Sequence, residues 1–414
     1  MTQIQEVSLD ELRHLFSERA FSGETMLLNM GPQHPSTHGV LRLLLELDGE
    51  TVVNCVPDIG FLHTGIEKNM ESKTYQKAEV MTDRMDYMNT VGNNFTYCLA
   101  IEKLVDLDVP PRAQAIRVIL AELTRIQSHL VWLGTAALDV AAMSVFLYCF
   151  REREQILDIM ELVSGQRMMT TYIRPGGVWR DVPVEFEAAV RDFLKIIPKR
   201  IDEYESMLTK NPLFLDRCLG IGVISGEEAI NRGLTGATLR ASGPNYDVRK
   251  FAPYSGYEQY DFDVPTRTEG DVYARYVVRI EEMRQTIRII QQAMDKLPLG
   301  PVRSNNYKFV PPPRSEIGVS MESSFTISNY GRRASPHPRA LSMSQPNRRA
   351  ANWAVSSKAT VARNHTASTS APRRLTTCKS SRAYRKDTLS PTWSPSLVRL
   401  TLCWAILTDK SSNS

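Results

Sequence analysis

The sequence is poor in cysteine and lacks long hydrophobic runs. Its six cysteines are scattered, and no two form a C-x-x-C pair. This spacing argues against a disulfide scaffold, a zinc ribbon or an iron–sulfur cluster held by this chain alone, so we expect any metal or cluster to sit on a partner. No apolar run approaches the roughly 20 residues of a membrane-spanning helix. The acidic, amphipathic N-terminus, Met1–Arg19, is unlike a signal peptide, and we therefore expect a cytoplasmic location.

Acidic residues are almost missing from the last part of the chain. Residues 323–414 contain 15 Lys and Arg but only two Asp and Glu, which leaves 35 basic and 44 acidic residues in 1–322. The net charge of +4 is therefore the average of an acidic body and a basic tail. A basic nucleic-acid-binding protein is not predicted, because the basic excess is confined to the tail.

Residues 24–60 are typical of strands and turns. Strand-like runs cover Thr25–Met30, Val40–Leu47 and Thr51–Val56, with a turn at Asp48-Gly49 between the last two. The alternation of apolar and polar residues predicts a β-hairpin here.

Beyond residue 60, apolar residues recur every three or four positions, which predicts long amphipathic helices. We expect a first long helix from Pro110-Pro111 to a stop near Gly134, and a second from about Ala141 that ends at Gly165. Asp139 would then lie close to the N-terminus of the second helix, where the helix dipole favours a carboxylate. Two further helices are predicted over Glu185–Leu208 and Gly270–Leu297.

The fold class that follows is α+β, with a long-helix bundle as its core and a β-rich N-terminal region. We predict three parts, comprising residues 1–60, a helical body over 61–322 and a basic tail over 323–414. The stretch Gly222–Asp263 is rich in Gly, Ser, Tyr and Asp and predicts irregular structure. A segment of this length is either partner-facing or a plain connector.

The densest run of unusual chemistry is the loop from Gly31 to Arg42. Two prolines and two glycines hold His34 and His38 on an irregular backbone between apolar runs. A histidine on such a loop can transfer protons near neutral pH. The His-x3-His spacing also suits a metal, and ordinary loop polarity is a further reading, so the loop alone does not decide its role.

Ten collinear motifs show that the chain resembles the 49-kDa subunit of respiratory complex I, the proton-pumping NADH:quinone oxidoreductase, from about residue 25 to 322. The motifs are GPQHPSTHGVLR at 31–42, GFLHTGIEK at 60–68, DRMDYMN at 83–89, PPRAQAIRVILAEL at 110–123, ALD at 137–139, FREREQILD at 150–158, SGQRM at 164–168, YIRPGGV at 172–178, LRASG at 239–243 and YDVRK at 246–250. The resemblance implies the fold of the [NiFe]-hydrogenase large subunit without its metal site, beside a small subunit that carries a [4Fe–4S] cluster.

The resemblance also implies which residues reduce a quinone. In the family, the second histidine of the loop and the tyrosine of the DRMDY segment hold the quinone head group, and these positions are His38 and Tyr87. The aspartate of the ALD segment is thought to pair with that histidine, which places Asp139 behind His38 and would raise the imidazole pKa. Taken alone, Tyr87 is more typical of an ordinary aromatic residue in a half-buried segment, and Asp139 of a carboxylate at a helix N-terminus. The joint match of the motifs favours the quinone site.

Two arginines, Arg84 and Arg167, fall where the family places basic residues near the partner's cluster, with a surface salt bridge as the alternative. His34 and His63 belong to matched motifs and are expected to support loop geometry. The family often has a histidine two residues after the arginine of SGQRM, whereas this chain has Met169. We therefore expect a weaker pH dependence of the cluster's potential.

The resemblance stops just after Met321-Glu322. The sequence of the tail indicates that its codons are translated in a reading frame shifted from that of the family. When plausible codons are read one base out of register, residues 324–331 give I-H-H-F-K-L-W and residues 347–354 give E-S-P-R-G-E-L-G. Residues 401–410 give D-P-V-L-G-D-I-D-R and a stop, all like the family. We expect 323–414 to be out of frame and disordered.

Three functions remain to be weighed. A hydrogenase large subunit needs two C-x-x-C pairs for nickel and iron, and this chain has none. A non-catalytic scaffold would follow if the altered tail prevents the quinone cavity from forming. The favoured hypothesis is the quinone-site subunit of the peripheral arm, at the cytoplasmic face of the membrane. It would take ubiquinone or menaquinone as substrate, bind no cofactor itself, and contact the small iron–sulfur (NuoB-type), 30-kDa (NuoC-type) and membrane (NuoH-type) subunits.

Overall fold

The N-terminal part of the protein is a three-stranded antiparallel sheet. The structure is a computed structural model and describes residues 25–34, 37–71, 73, 75–140, 142–306 and 310–332. Strands β1 (Met26–Met30), β2 (Arg42–Asp48) and β3 (Thr51–Asp58) lie in the order β1-β2-β3. The predicted hairpin is confirmed as β2-β3, and β1 pairs with the other edge of β2. Met30, Leu41, Leu43 and Leu45 form the small core beneath the sheet.

The rest of the described chain is dominated by helices, which confirms the mixed α+β class. The described helices are α1 (Ile66–Glu71), α2 (Tyr75–Thr82), α3 (Thr90–Val105), α4 (Pro111–Asp139), α5 (Met143–Ser164), α6 (Glu185–Leu208), α7 (Pro212–Cys218), α8 (Gly226–Asn231), α9 (Gly236–Arg240), α10 (Val248–Phe251), a 3-10 helix (Tyr257–Gln259), α11 (Val272–Asp295), α12 (Arg314–Ile317) and α13 (Met321–Arg332). A short ladder, β4 (Ile173–Arg174) with β5 (Gly177–Val178), follows α5.

Helix α4 is the central element of the body. Most of its 29 residues are buried, and it packs against α5 and α11. The predicted stop near Gly134 is wrong, because the helix continues to Asp139. A Cβ at Gly134 would lie only 3.3 Å from the Cα of Phe146, so this glycine allows α5 to approach closely instead of ending the helix.

The other long helices follow the sequence pattern closely. Helix α5 ends at Gly165, whose φ of 77° is the left-handed conformation that glycine adopts at helix ends. Helix α6 has the predicted bounds, Glu185–Leu208, and α11 lies within the predicted range. No helix within the described ranges is long and apolar enough to cross a membrane.

The stretch Gly222–Asp263 is more ordered and more deeply buried than predicted. It contains α8, α9, α10 and the 3-10 helix. Its Arg249 lies 2.7 Å from Asp247 and 3.3 Å from Glu122 of α4, and all three side chains are almost fully buried. Burial alone would raise the pKa of Asp247, but the charge of Arg249 lowers it. The segment therefore places charged side chains inside the helical core, where each has a counter-charge.

Helix α13 crosses the predicted boundary between residues 322 and 323 and extends to Arg332. The remainder of the predicted tail, 333–414, lies outside the described residues. Residues 1–24 also lie outside them.

Candidate functional site

The loop between β1 and β2 presents His38 on a constrained backbone. Thr37 is buried, and its hydroxyl lies 3.2 Å from the carbonyl of Pro32 and 3.1 Å from that of His34. At Gly31 φ is 86°, and a Cβ there would lie 2.1 Å from the Leu41 carbonyl, so only glycine fits. His38 itself has a φ of 53°, an uncommon value for a residue with a Cβ, and its side chain is exposed.

The protonation of His38 differs from the expectation. Partial burial lowers the pKa of His38 below its ordinary value of 6.5. The expected increase from a paired Asp139 is therefore wrong, because no carboxylate charge counters the burial. At neutral pH the imidazole is neutral, and it still has one N–H donor and one acceptor nitrogen.

Tyr87 lies on the turn between α2 and α3, with 41% of its side chain exposed. Asp86 shapes this turn, because its carboxylate accepts a hydrogen bond from the Met88 amide at 3.0 Å and its carbonyl accepts one from Asn93 at 3.1 Å. The Thr90 hydroxyl then donates to the carbonyl of Met168 at 2.7 Å. The turn is thus fixed to the loop that carries the SGQRM motif.

Asp139 is the last residue of α4, whereas the sequence pattern placed it between the two helices, close to the N-terminus of the second. The correction follows from the continuation of α4 through Gly134. At a helix C-terminus the dipole disfavours a carboxylate. Burial raises the pKa of Asp139 to about 6, and its Oδ2 atom is buried without a hydrogen-bond partner among the described residues. Such a carboxyl group can gain or lose a proton near neutral pH.

The three predicted quinone-site residues lie on three different elements. His38 is on the β1-β2 loop, Tyr87 on the α2-α3 turn and Asp139 at the end of α4. Within the described part of the chain they share no hydrogen bond or ion pair, so their joint role stays a prediction.

The two predicted arginines differ in their surroundings. Arg84 is exposed and donates to the carbonyl of Val80 at 2.7 Å. Arg167 is exposed beside α5, where it pairs with Glu154 and lies 3.4 Å from Asp158. The hydrogen bond with Glu154 raises the pKa of Arg167. The surface ion pair that was the alternative for Arg167 is thus present in the structure.

Sequence reasoning missed Arg153 of the FREREQILD motif. Its side chain is 8% exposed, its Nη2 lies 3.8 Å from the Sδ of Met168, and its guanidinium lies over the Phe150 ring. Burial lowers the pKa of Arg153, and the nearby charge of Arg167 lowers it further. Arg153 is therefore a buried cation next to the predicted cluster-facing loop. Arg153 follows Phe150 by three residues, a spacing that puts both side chains on one face of a helix. This spacing could have suggested from the sequence that the two side chains are in contact.

A second residue that was missed is Arg117 of α4, which is fully buried. It pairs with Glu102 of α3 at 2.5 Å and donates to the carbonyls of Arg174 at 2.7 Å and Gly177 at 2.8 Å. Glu102 also accepts from the amide of Gly176 at 2.8 Å. This pair holds the YIRPGGV turn against the helical body.

The remaining histidines of the matched motifs, His34 and His63, are exposed on irregular segments. The backbone amide of His63 donates to the Gly60 carbonyl at 2.9 Å. In the described ranges, no group of three or more His, Cys, Asp and Glu side chains is arranged to hold a metal ion.

Comparison with known proteins identifies the family. The profile of the family described as "Respiratory-chain NADH dehydrogenase, 49 Kd subunit" matches residues 139–357, more than half of the chain. The chain is 64% identical over 303 residues to the second D-type subunit of NADH-quinone oxidoreductase from Chloroflexus aurantiacus, covering 72% of this chain and 74% of that protein. It is 63% identical over 302 residues to the first D-type subunit from Roseiflexus castenholzii, covering 72% of each chain. It is 56% identical over 299 residues to the D-type subunit from Thermus thermophilus, covering 72% of this chain and 73% of that protein. The chain therefore belongs to the 49-kDa subunit family of the respiratory-chain NADH dehydrogenase.

Proposed function

We propose that this subunit of NADH:quinone oxidoreductase forms the site where quinone is reduced, in a reaction coupled to proton translocation. The observation that carries the proposal is the setting of Tyr87. Its half-exposed phenol sits on a turn that Thr90 fixes to the Met168 carbonyl, one residue after Arg167. A phenol that reaches solvent from a backbone turn held in place by these hydrogen bonds can contact a substrate.

Quinone reduction requires two electrons and two protons, and hydrogen-bond donors for both carbonyl oxygens as they become anionic. The Tyr87 hydroxyl and the neutral imidazole of His38 can each donate one hydrogen bond. The Asp139 carboxyl group, with a pKa raised to about 6 by burial, can exchange protons near neutral pH. We therefore assign hydrogen bonding to Tyr87 and to the neutral imidazole of His38, proton donation to Tyr87, and proton exchange to Asp139.

The electrons would come from a [4Fe–4S] cluster on the small iron–sulfur subunit, near Arg84 and Arg167. Arg153 adds a buried positive charge beside the same loop. We propose the fold of a [NiFe]-hydrogenase large subunit for the body and a place at the cytoplasmic face of the membrane. Contacts with the 30-kDa and membrane subunits are supported by Ile59, Phe61 and Leu62, which expose 41%, 49% and 47% of their apolar side chains on one short stretch.

The test is a Tyr87→Phe variant in the assembled complex, with Tyr148→Phe as a matched control on α5. We expect Tyr87→Phe to lose at least about tenfold in quinone turnover with unchanged cluster content, because one hydrogen-bonding and proton-donating group is removed. The control should keep wild-type turnover. Unchanged turnover in Tyr87→Phe would remove this residue from the site.

The alternative function, a non-catalytic scaffold, depends on the tail. We propose that residues 323–414 are translated out of frame. In support, the relatives align over about 300 residues, close to the length from residue 25 to 322. The family profile, however, extends to residue 357. Resequencing the gene around codon 322 decides between a one-base shift and an uninterrupted frame, and the latter would refute the proposal.

Quinone-dependent oxidation of the partner's cluster separates the two functions. The full chain is purified with its small iron–sulfur partner, the cluster is reduced, and quinone is added. A quinone-site subunit supports cluster oxidation at a rate that depends on quinone concentration, whereas a scaffold does not.

A further inference from the structure

A pair of carboxyl groups is buried just before the turn that carries Tyr87. Glu79 on α2 is 3% exposed and Asp83, one helical turn later, is 0% exposed. Within the described ranges, the Oε1 atom of Glu79 and the Oδ1 atom of Asp83 are buried without a hydrogen-bond partner, as is the Nδ2 atom of Asn94 on α3. Two carboxyl groups cannot both stay ionised in such a place without more donors than these.

Thr82, between the two residues in sequence, links the two helices beside this pair. The Thr82 hydroxyl lies 2.6 Å from the Asn94 amide oxygen and 2.7 Å from the Glu79 carbonyl. It therefore ties the end of α2 to α3, next to both carboxyl groups.

The second oxygen of Asp83 links the Tyr87 turn to a distant segment. It accepts a hydrogen bond from the Thr171 hydroxyl. Thr171 has a φ of 40°, a left-handed conformation that is unfavourable for a β-branched residue. An unfavourable backbone conformation persists only where the surrounding contacts hold it. The Asp83–Thr171 bond is one such contact, and it joins the turn to the segment after Arg167.

The electrostatic surroundings favour one retained proton. Burial raises the pKa of Glu79 to about 8, the charge of Asp83 raises it as well, and the charges of Arg174 on β4 and Arg117 on α4 lower it. Burial also raises the pKa of Asp83, while the Thr171 hydroxyl, the nearby side-chain amide of Asn94 and the charge of Arg84 lower it. From α3, the phenol of Tyr97 and the thiol of Cys98 face Glu79, and burial raises the pKa of both, so neither supplies a charge at neutral pH.

We propose that Glu79 retains its proton near Asp83 and acts as a positioning residue. While Glu79 is neutral, Asp83 stays bonded to Thr171, and Tyr87 stays in place for quinone reduction. The proposal rests on the role assigned to Tyr87 above.

Loss of the Glu79 proton adds a second negative charge near Asp83 in a buried region. We expect repulsion from Glu79 to displace the Asp83 carboxylate, which weakens its bond with Thr171 and loosens the turn. Since the pKa of Glu79 is raised, the neutral form is present below about pH 8 and is lost as the pH rises through that value. Quinone turnover should therefore decrease on the alkaline side. A glutamine at position 79 cannot ionise and should keep the turn in place.

The test compares the assembled wild-type complex with a Glu79→Gln variant and with Glu187→Gln, an exposed control on α6. Quinone turnover is measured from neutral to alkaline pH. Above the midpoint, we expect the quinone turnover of the wild type and the control to decrease about tenfold per pH unit, because one proton is lost. In Glu79→Gln this alkaline decrease should be absent. A wild-type pH profile in Glu79→Gln would overturn the proposal. A Glu79→Gln variant that is inactive at every pH would overturn the proposal too. That result would mean that turnover needs Glu79 to release its proton, whereas the proposal needs only a neutral side chain at this position.

A second measurement does not depend on the function of Tyr87. Amide hydrogen exchange of residues 83–90 and 168–173, corrected for the intrinsic rate, should increase above the midpoint in the wild type and not in Glu79→Gln. If exchange follows this pattern while Tyr87→Phe keeps full turnover, the proposed function fails and the positioning role of Glu79 on this turn stands. If wild-type exchange does not change with pH, the positioning role is overturned.

Discussion

Replacing Glu102 by Gln should weaken the helical body strongly, because it removes the counter-charge of a buried arginine. Arg117 is 0% exposed and Glu102 is 5% exposed, and their closest atoms are 2.5 Å apart. The variant keeps the shape of the side chain. It leaves the guanidinium with neutral acceptors alone, namely the new amide oxygen and the carbonyls of Arg174 and Gly177 at 2.7 and 2.8 Å.

The size of the effect can be estimated from the burial of the pair. Removing one partner of a buried ion pair lowers the free energy of unfolding by about 3–5 kcal/mol. Because Arg117 keeps its carbonyl contacts, we expect a loss of about 3 kcal/mol here, at the lower end of that range. A typical domain has a free energy of unfolding of about 5–15 kcal/mol. With an m-value of about 3 kcal/mol per M urea, the midpoint would decrease by about 1 M.

The assay is urea denaturation of the full chain, followed by circular dichroism. The matched control is Glu187→Gln on the surface. Glu187 is one of two carboxylate partners of Arg191, and the side chains of Glu187 and Arg191 are 59% and 41% exposed. An exposed pair contributes about 0–1 kcal/mol, so the control midpoint should change little. Equal small shifts in the two variants would refute the claim that the Arg117–Glu102 pair holds the body together.

Three further predictions concern the site. Gly31→Ala should abolish quinone turnover in the assembled complex, because its Cβ would lie 2.1 Å from the Leu41 carbonyl. Gly39→Ala is the control and should retain more activity, because its Cβ would meet no atom within 4 Å. Equal losses of turnover in the two variants would contradict this. Asp139→Asn should lower turnover and change how turnover depends on pH. The pKa of Asp139 is about 6, so its charge is lost as the pH falls through that value, and the variant should lack the decrease in turnover at acidic pH. A turnover–pH profile in which the variant keeps this decrease would count against the role. Met169→His should steepen the pH dependence of the partner cluster's potential in a redox titration of the assembled complex, and a slope already steep in the wild type would contradict the reasoning.

Local sequence patterns predicted the long helices well and their ends less well. Glu185–Leu208 follows from apolar spacing alone, and Gly165 ends α5 because glycine adopts a positive φ at no steric cost. Gly134 misled the prediction, since a glycine inside a helix can serve close packing instead of termination. That distinction depends on Phe146 of the neighbouring helix, which no local pattern reveals. The position of Asp139 was therefore assigned to the wrong helix end.

The candidate site was predictable in composition and not in its electrostatics. The motif loop and the turn of Tyr87 could be named from the sequence. The direction of the His38 pKa shift could not, because it depends on burial in three dimensions. Arg153 and Arg117 were missed for a related reason, since charged residues are usually exposed and their burial arises from contacts with distant segments.

The most direct test of the quinone-site assignment is photoaffinity labelling of the assembled complex with a quinone that carries a photoreactive group on its ring, followed by mapping of the modified peptides. The account predicts labels on the peptides that contain His38 and Tyr87, and competition by unmodified quinone. Labelling that competes with quinone but lies entirely on other subunits, or on this chain away from both peptides, would contradict it.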